Sequence, residues 1–153
     1  MIHLFQYNWQ IRDEWFTLCE QLPERELRKE RVGGPGSILY TLFHIVEVEH
    51  SWICAMQGKP DIPIHFENYQ SLEAVKKLSD SLRLDSEPYL LDWSENIEQE
   101  QVYISWLEET FLKGEVIRHV IAHETHHIGQ LSIWTRELGI EPVSVHFVGR
   151  NLM

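Results

Sequence analysis

Apolar side chains recur every three to four residues through residues 2–22, at Leu4, Phe5, Trp9, Ile11, Trp15, Phe16, Leu18 and Leu22. That period predicts one amphipathic helix. Pro23 and the run Gly33-Gly34-Pro35-Gly36 then interrupt the pattern. Ser37 is a candidate cap for a second helix of about five turns, which Gly58 and Pro60 should end. Pro60 and Pro63 in residues 59–69 predict a loop, and Ser71 opens a third, more polar helix through Leu72, Val75, Leu78 and Leu82 towards Trp93. Residues 94–113 break the helical period. Val102, Ile104 and Trp106 alternate with Tyr103 and Ser105, the pattern of a short strand or hairpin. The helical period returns at Glu115 and runs to Leu138, with Gly139 placed as a helix C-cap. The expected architecture is all-α, a four-helix bundle with one long crossing connection.

At 153 residues, with 43% apolar and 24% charged side chains, the chain suits a single domain over 1–153 with a real core. Its formal charge is −11. Nucleic-acid affinity depends on Lys and Arg neutralising phosphates, so nucleic acid and anionic membranes are poor partners. The densest basic stretch, Arg25 to Arg31, is interleaved with Glu26 and Glu30. The N-terminus lacks the basic start and apolar run of a secretory signal, and no segment reaches membrane-spanning length. The expected compartment is the cytoplasm. Cys19 and Cys54 are too few for a thiolate zinc cluster, and their helical settings argue against a disulfide scaffold.

Nine histidines change the picture more than the charge does. His119, His123 and His127 form a stripe on the last helix at four-residue spacing. Neighbours in such a stripe rise about 6 Å along the axis and can converge on one ion. The outer two are about 12 Å apart, so the helix supplies an adjacent pair and leaves open which pair it is. His126 is turned about 100° away, onto the flank. His44, inside the apolar stretch Leu42-Phe43-His44-Ile45-Val46, is costly to bury unless hydrogen-bonded or ligated, and offers a third nitrogen from a facing helix. Three nitrogens leave coordination positions open, as in catalytic metal sites. His3, His50, His65 and His146 are expected at the surface or in loops.

Residues 123–127 also match H-E-x-x-H, the zinc metalloprotease signature in which Glu124 would be the general base. The extended form requires Gly at position 130 and His at 133, where this chain has Gln130 and Ile133. A zinc hydrolase is therefore the weakest of the functional readings.

The string His44-Ile45 followed by Glu49 and Trp52, together with His119-Val120-Ile121-Ala122-His123-Glu124-Thr125-His126-His127-Ile128-Gly129-Gln130-Leu131, resembles the DinB/YfiT-like metalloenzyme family. The resemblance covers nearly the whole chain. It implies a four-helix bundle, usually a homodimer, holding Zn²⁺ or Ni²⁺ through three histidines, here His44, His123 and His127. Many relatives carry Arg where this chain has Ile128, which weakens any carry-over of substrate. Gly129 is expected to let a neighbouring helix approach closely. Gln130 and Glu47 are candidates to orient a ligand imidazole through its second nitrogen.

Some relatives of this type are S-transferases or isomerases that use a small thiol such as bacillithiol or mycothiol. The resemblance thus implies transfer of a small thiol cosubstrate to an electrophilic small molecule. Cys54 lies about 15 Å along the helix from His44, so the thiol must come from outside. The alternative is a stress-response bundle that binds metal without turnover, with a fourth protein ligand such as Glu47 closing the site.

Overall fold

The computed structural model describes residues 1–60 and 62–152; Asp61, in the expected loop, and Met153 lie outside the described residues. The fold is mostly helical. Four long helices, α1 (Ile2–Cys19), α3 (Ile38–Met56), α4 (Leu72–Leu91) and α6 (Lys113–Glu137), are joined by the short helices α2 (Glu24–Arg28) and α5 (Glu95–Glu98). A 3₁₀ turn at Phe66–Asn68 lies within the expected loop. No described helix is long and apolar enough to cross a membrane.

Local chemistry sets the helix ends. Ser37 and Ser71 each accept a hydrogen bond from the amide three residues on, Tyr40 and Ala74, both at 3.1 Å. These contacts satisfy amides that the first helical turn leaves unpaired. At the other end of α6, Gly139 adopts φ +73°, the left-handed conformation that glycine enters without a Cβ penalty. The first helix is shorter than its apolar pattern suggests: it ends at Cys19, and Leu22 reaches the core from the turn before α2. The last helix begins two residues early, where the Leu112 amide donates to Glu115 Oε2 at 2.9 Å.

The expected hairpin is present as an antiparallel pair, β1 (Gln101–Ile104) with β2 (Glu109–Leu112), in which Val102 faces Phe111 and Ile104 faces Glu109. Val102 and Ile104 are buried. Trp106, expected to continue the strand, sits in the connecting turn instead.

In the helical layer α3 packs on α4 and α6, and α1 packs on the same two helices, which sets α1 and α3 at opposite corners. The apolar interior falls into two clusters. One gathers Trp15, Phe16, Leu39, Leu42, Val75, Leu131 and Trp134; the other gathers Phe5, Trp9, Ile53, Met56, Leu90, Ile117 and Val120. Between them in the sequence of α1, α3 and α6 stand buried Arg12, Glu49 and Glu124.

Candidate metal centre

His44 on α3 and His123 and His127 on α6 meet where the two helices pack. The Nε2 atom of His123 lies 3.2 Å from Nε2 of His44 and 3.1 Å from Nε2 of His127. Nitrogens bound at 2.0–2.1 Å to a tetrahedral zinc ion stand about 3.3 Å apart, so the spacing fits an ion at their centre. Among the described residues the cluster has these three members. His119 is one turn away, its ring centroid 6.0 Å from that of His123, and does not belong to it. The adjacent pair that spacing left open is thus 123 with 127.

The surroundings hold the rings in the form that metal binding needs. Gln130 Oε1 lies 2.7 Å from His127 Nδ1. An amide oxygen can only accept, so Nδ1 carries the proton and Nε2 keeps its lone pair. The same amide donates from Nε2 to His126 Nε2 at 3.0 Å, which fixes its orientation. His44 Nδ1 is 3.8 Å from Glu47 Oε2. Glu47 therefore borders the far edge of that ring and is no fourth member of the cluster. Burial and the neighbouring His127 push the His44 pKa down to about 4. Burial first, then His127 and His44, push His123 down to about 3. Burial also lowers His127, partly offset by its bond to Gln130. All three are neutral at pH 7, the state in which imidazole ligates.

Gly34 was read only as chain punctuation and turns out to border the site. It sits at φ +57°, and a Cβ there would run into Gln130 Oε1. The loop before α3 can lie against Gln130 because residue 34 has no side chain.

Glu124 is not placed as a general base. Its carboxylate is held by Arg12, with Nε donating to Oε1 at 2.9 Å and Nη2 to Oε2 at 2.6 Å. Arg12 Nη2 also donates to Glu49 Oε2 at 2.6 Å, and Trp9 Nε1 donates to the same carboxylate at 3.1 Å. The three charged residues are 1%, 4% and 2% exposed for Arg12, Glu49 and Glu124. Burial pushes the Glu124 pKa up, and Arg12 opposes that shift. This cluster was missed by sequence reasoning, although a cue existed. Arg12 stands on the buried stripe between Trp9 and Trp15, Glu49 between Val46 and Ile53, and Glu124 between Val120 and Ile128, with complementary charges.

Several smaller expectations are corrected. His50 is neither a loop residue nor fully exposed: it is half-buried in α3, with Nε2 3.4 Å from Cys54 Sγ. Gly129 does not admit a neighbouring helix, since a Cβ there would meet nothing within 4 Å. It borders a cavity of about 650 Å³ between α1, α6 and the C-terminal tail, which Tyr7, Asn8, Glu124 and Ser132 also line and which none of the three clustered histidines touches. Ile128 is buried in the core beside that cavity. Cys19 is buried, and burial pushes its pKa up to about 12, so it is not a ready thiolate.

A family model described as the DinB family matches residues 1–152. The chain belongs to the DinB family. Within it, the uncharacterized protein YizA of Bacillus subtilis (strain 168) is 52% identical over 155 residues, covering 99% of this chain and 96% of YizA. A crystal structure of a DinB-like protein from Bacillus cereus ATCC 10987 superposes with a TM-score of 0.67 at 17% identity, over 94% of this chain and 95% of the other. That likeness establishes a shared fold for this DinB-family chain.

Proposed function

We propose that this DinB-family protein is a metal-dependent transferase that joins a small thiol of the bacillithiol kind to an electrophilic small molecule. His44, His123 and His127 are the metal ligands in this reading, and Zn²⁺ or Ni²⁺ is the ion. The long helices are taken as a four-helix bundle that works as a homodimer in the cytoplasm. The observation that carries the proposal is the convergence of three neutral Nε2 atoms without a fourth side-chain ligand among the described residues. Three imidazoles are a donor set that zinc and nickel both accept.

A divalent ion bound there supplies Lewis acidity, which favours the thiolate form of a coordinated thiol at neutral pH. The chain's own part is to hold three lone pairs on one centre, with Gln130 fixing the His127 tautomer. In the reaction, sulfur forms a bond to the electrophilic carbon while the bond from that carbon to its leaving group breaks. The leaving group departs with the bonding electron pair, and the thiol proton passes to solvent. Neither cysteine is suited to replace the external thiol, since Cys19 is buried and Cys54 is engaged with His50.

The test is a coupling assay with bacillithiol and 1-chloro-2,4-dinitrobenzene, using protein whose metal content is known from elemental analysis. The expected result is metal-dependent chloride release that His123→Ala removes together with the ion. Metal-loaded protein that consumes no thiol over a panel of electrophiles overturns the proposal. A metal shell closed by a fourth protein ligand would instead support a binding protein without turnover.

A further inference from the structure

Between α3, the hairpin and the first turns of α6 lies a second opening, a cleft of about 540 Å³. Its lining is Trp52, Leu107, Phe111, Glu115, Val116 and His119. We propose that this cleft binds the uncharged aromatic part of the electrophile and presents its reactive carbon to the three-histidine centre. The identity of the ligand as an electrophile rests on the thiol-transfer reading; the location and chemistry of the subsite do not.

Position is the first argument. His119 lines the cleft, and its ring centroid is 4.8 Å from the Trp52 ring and 6.0 Å from that of His123. A flat group lying against Trp52 and His119 therefore has its next few atoms within reach of the histidine cluster. None of the three clustered histidines lines the cleft itself or the larger cavity, and it is the His119 ring that joins the cleft to the cluster.

Size and chemistry point the same way. Small-molecule sites commonly enclose about 300–1,000 Å³ and are lined mainly by apolar and aromatic side chains with a few polar groups. Here Trp52, Leu107, Phe111 and Val116 supply the apolar walls, and His119 offers a ring nitrogen for a hydrogen bond. The floor is fixed: Val116 is buried, and Phe111 packs partly buried against the same core cluster. At the rim, Leu107 is 50% exposed and Trp106 is 41% exposed, with the Trp106 ring edge-on to Trp52 at 5.1 Å. An aromatic ligand would cover this apolar surface, which is otherwise left in contact with water.

Charge narrows the ligand further. Among the described residues, Glu115 is the charged one in the lining, which includes no Lys or Arg. With Glu115 on its wall, an anionic group would be repelled within this cleft. A neutral arylmethyl halide or a similar uncharged electrophile fits; an aryl sulfonate or carboxylate does not.

The experiment titrates zinc-loaded full-length protein with 2-naphthalenemethanol, an unreactive surrogate, following tryptophan fluorescence and amide chemical shifts. The expected result is saturable binding that shifts resonances of Trp52, Phe111 and His119. Leu107→Asp, an exposed substitution, should weaken binding by roughly tenfold by adding charge to an apolar wall. Phe111→Ser should weaken it as well, with zinc content serving as the check on folding. Gly129→Leu, which projects into the larger cavity, should leave binding unchanged. The proposal is overturned if binding is absent, if Gly129→Leu rather than Leu107→Asp weakens it, or if 2-naphthalenesulfonate binds as well as the alcohol. Leu107→Asp converting a dimer to a monomer in sedimentation would overturn it too, because the cleft would then be covered by a second copy of this chain. Surrogate binding at this place without thiol transfer would overturn the proposed reaction and leave the subsite standing.

Discussion

Arg12 grips both carboxylate oxygens of Glu124, at 2.9 and 2.6 Å, directly beside the clustered His123 in sequence. Its Nη2 also reaches Glu49 on α3, the helix that carries His44. One guanidinium thus ties together the two helices whose imidazoles converge. Arg12→Met should leave two buried carboxylates without their cation and destabilise the fold by about 3–5 kcal/mol. Urea unfolding of the metal-free protein measures this. A loss under 1 kcal/mol would show that water reaches the two acids.

Gln130 holds the His127 tautomer, and Gly34 gives Gln130 room. Gln130→Leu should lower metal affinity by about 10–100-fold while leaving the helical content intact. Gly34→Val should do the same through displacement of Gln130, with an added cost for a branched residue at positive φ. Competition with a coloured chelator, alongside circular dichroism, reads both effects. Unchanged affinity in Gln130→Leu would mean that His127 needs no external orientation.

His126 and His119 stand beside the cluster without joining it. His126→Ala and His119→Ala should each retain one ion per chain in elemental analysis. His44→Ala and His123→Ala should lose it. Retention of metal by His44→Ala would break the three-ligand assignment.

Protonation should weaken the metal-free protein in a defined window. An imidazole in the unfolded chain titrates near ~6.5, whereas His44 and His123 in the folded chain lie at about 4 and about 3. Below pH ~6.5 the unfolded state takes up protons that the folded site refuses, so stability falls as pH drops towards 4. The loss levels off once the folded rings also protonate. Urea midpoints at pH 7, 6, 5 and 4 trace this slope, and His44→Gln should make it shallower. A midpoint that does not move between pH 7 and 5 in the wild type would contradict these shifts.

Much of the frame could be read directly from the chain. The long helices and the hairpin follow from local periodicity and turn chemistry, and helical rise calls for an adjacent pair from the stripe 119, 123 and 127, among which the family resemblance points to 123 with 127. His44 was legible because a polar ring interrupts an apolar run. What stayed hidden depends on partners distant in sequence: Glu49 and Glu124 lie 37 and 112 residues from Arg12. An Arg on an amphipathic helix ordinarily reads as solvated. Glu124 has one reading on offer, the general base of the H-E-x-x-H string, already the weakest, and its side chain, turned to Arg12, does not fill that role. Gly129 looked like a packing notch and opens onto a cavity instead.

The buried charges between the two apolar clusters act as a key for alignment. If α1 slid by one turn against α3 and α6, the guanidinium would face hydrocarbon and two acids would lose their counter-ion. Such a slip would cost far more than an offset between interchangeable leucines. The ionic seam therefore fixes the height at which the helices meet, and with it the level at which the imidazoles come together, before any ion arrives.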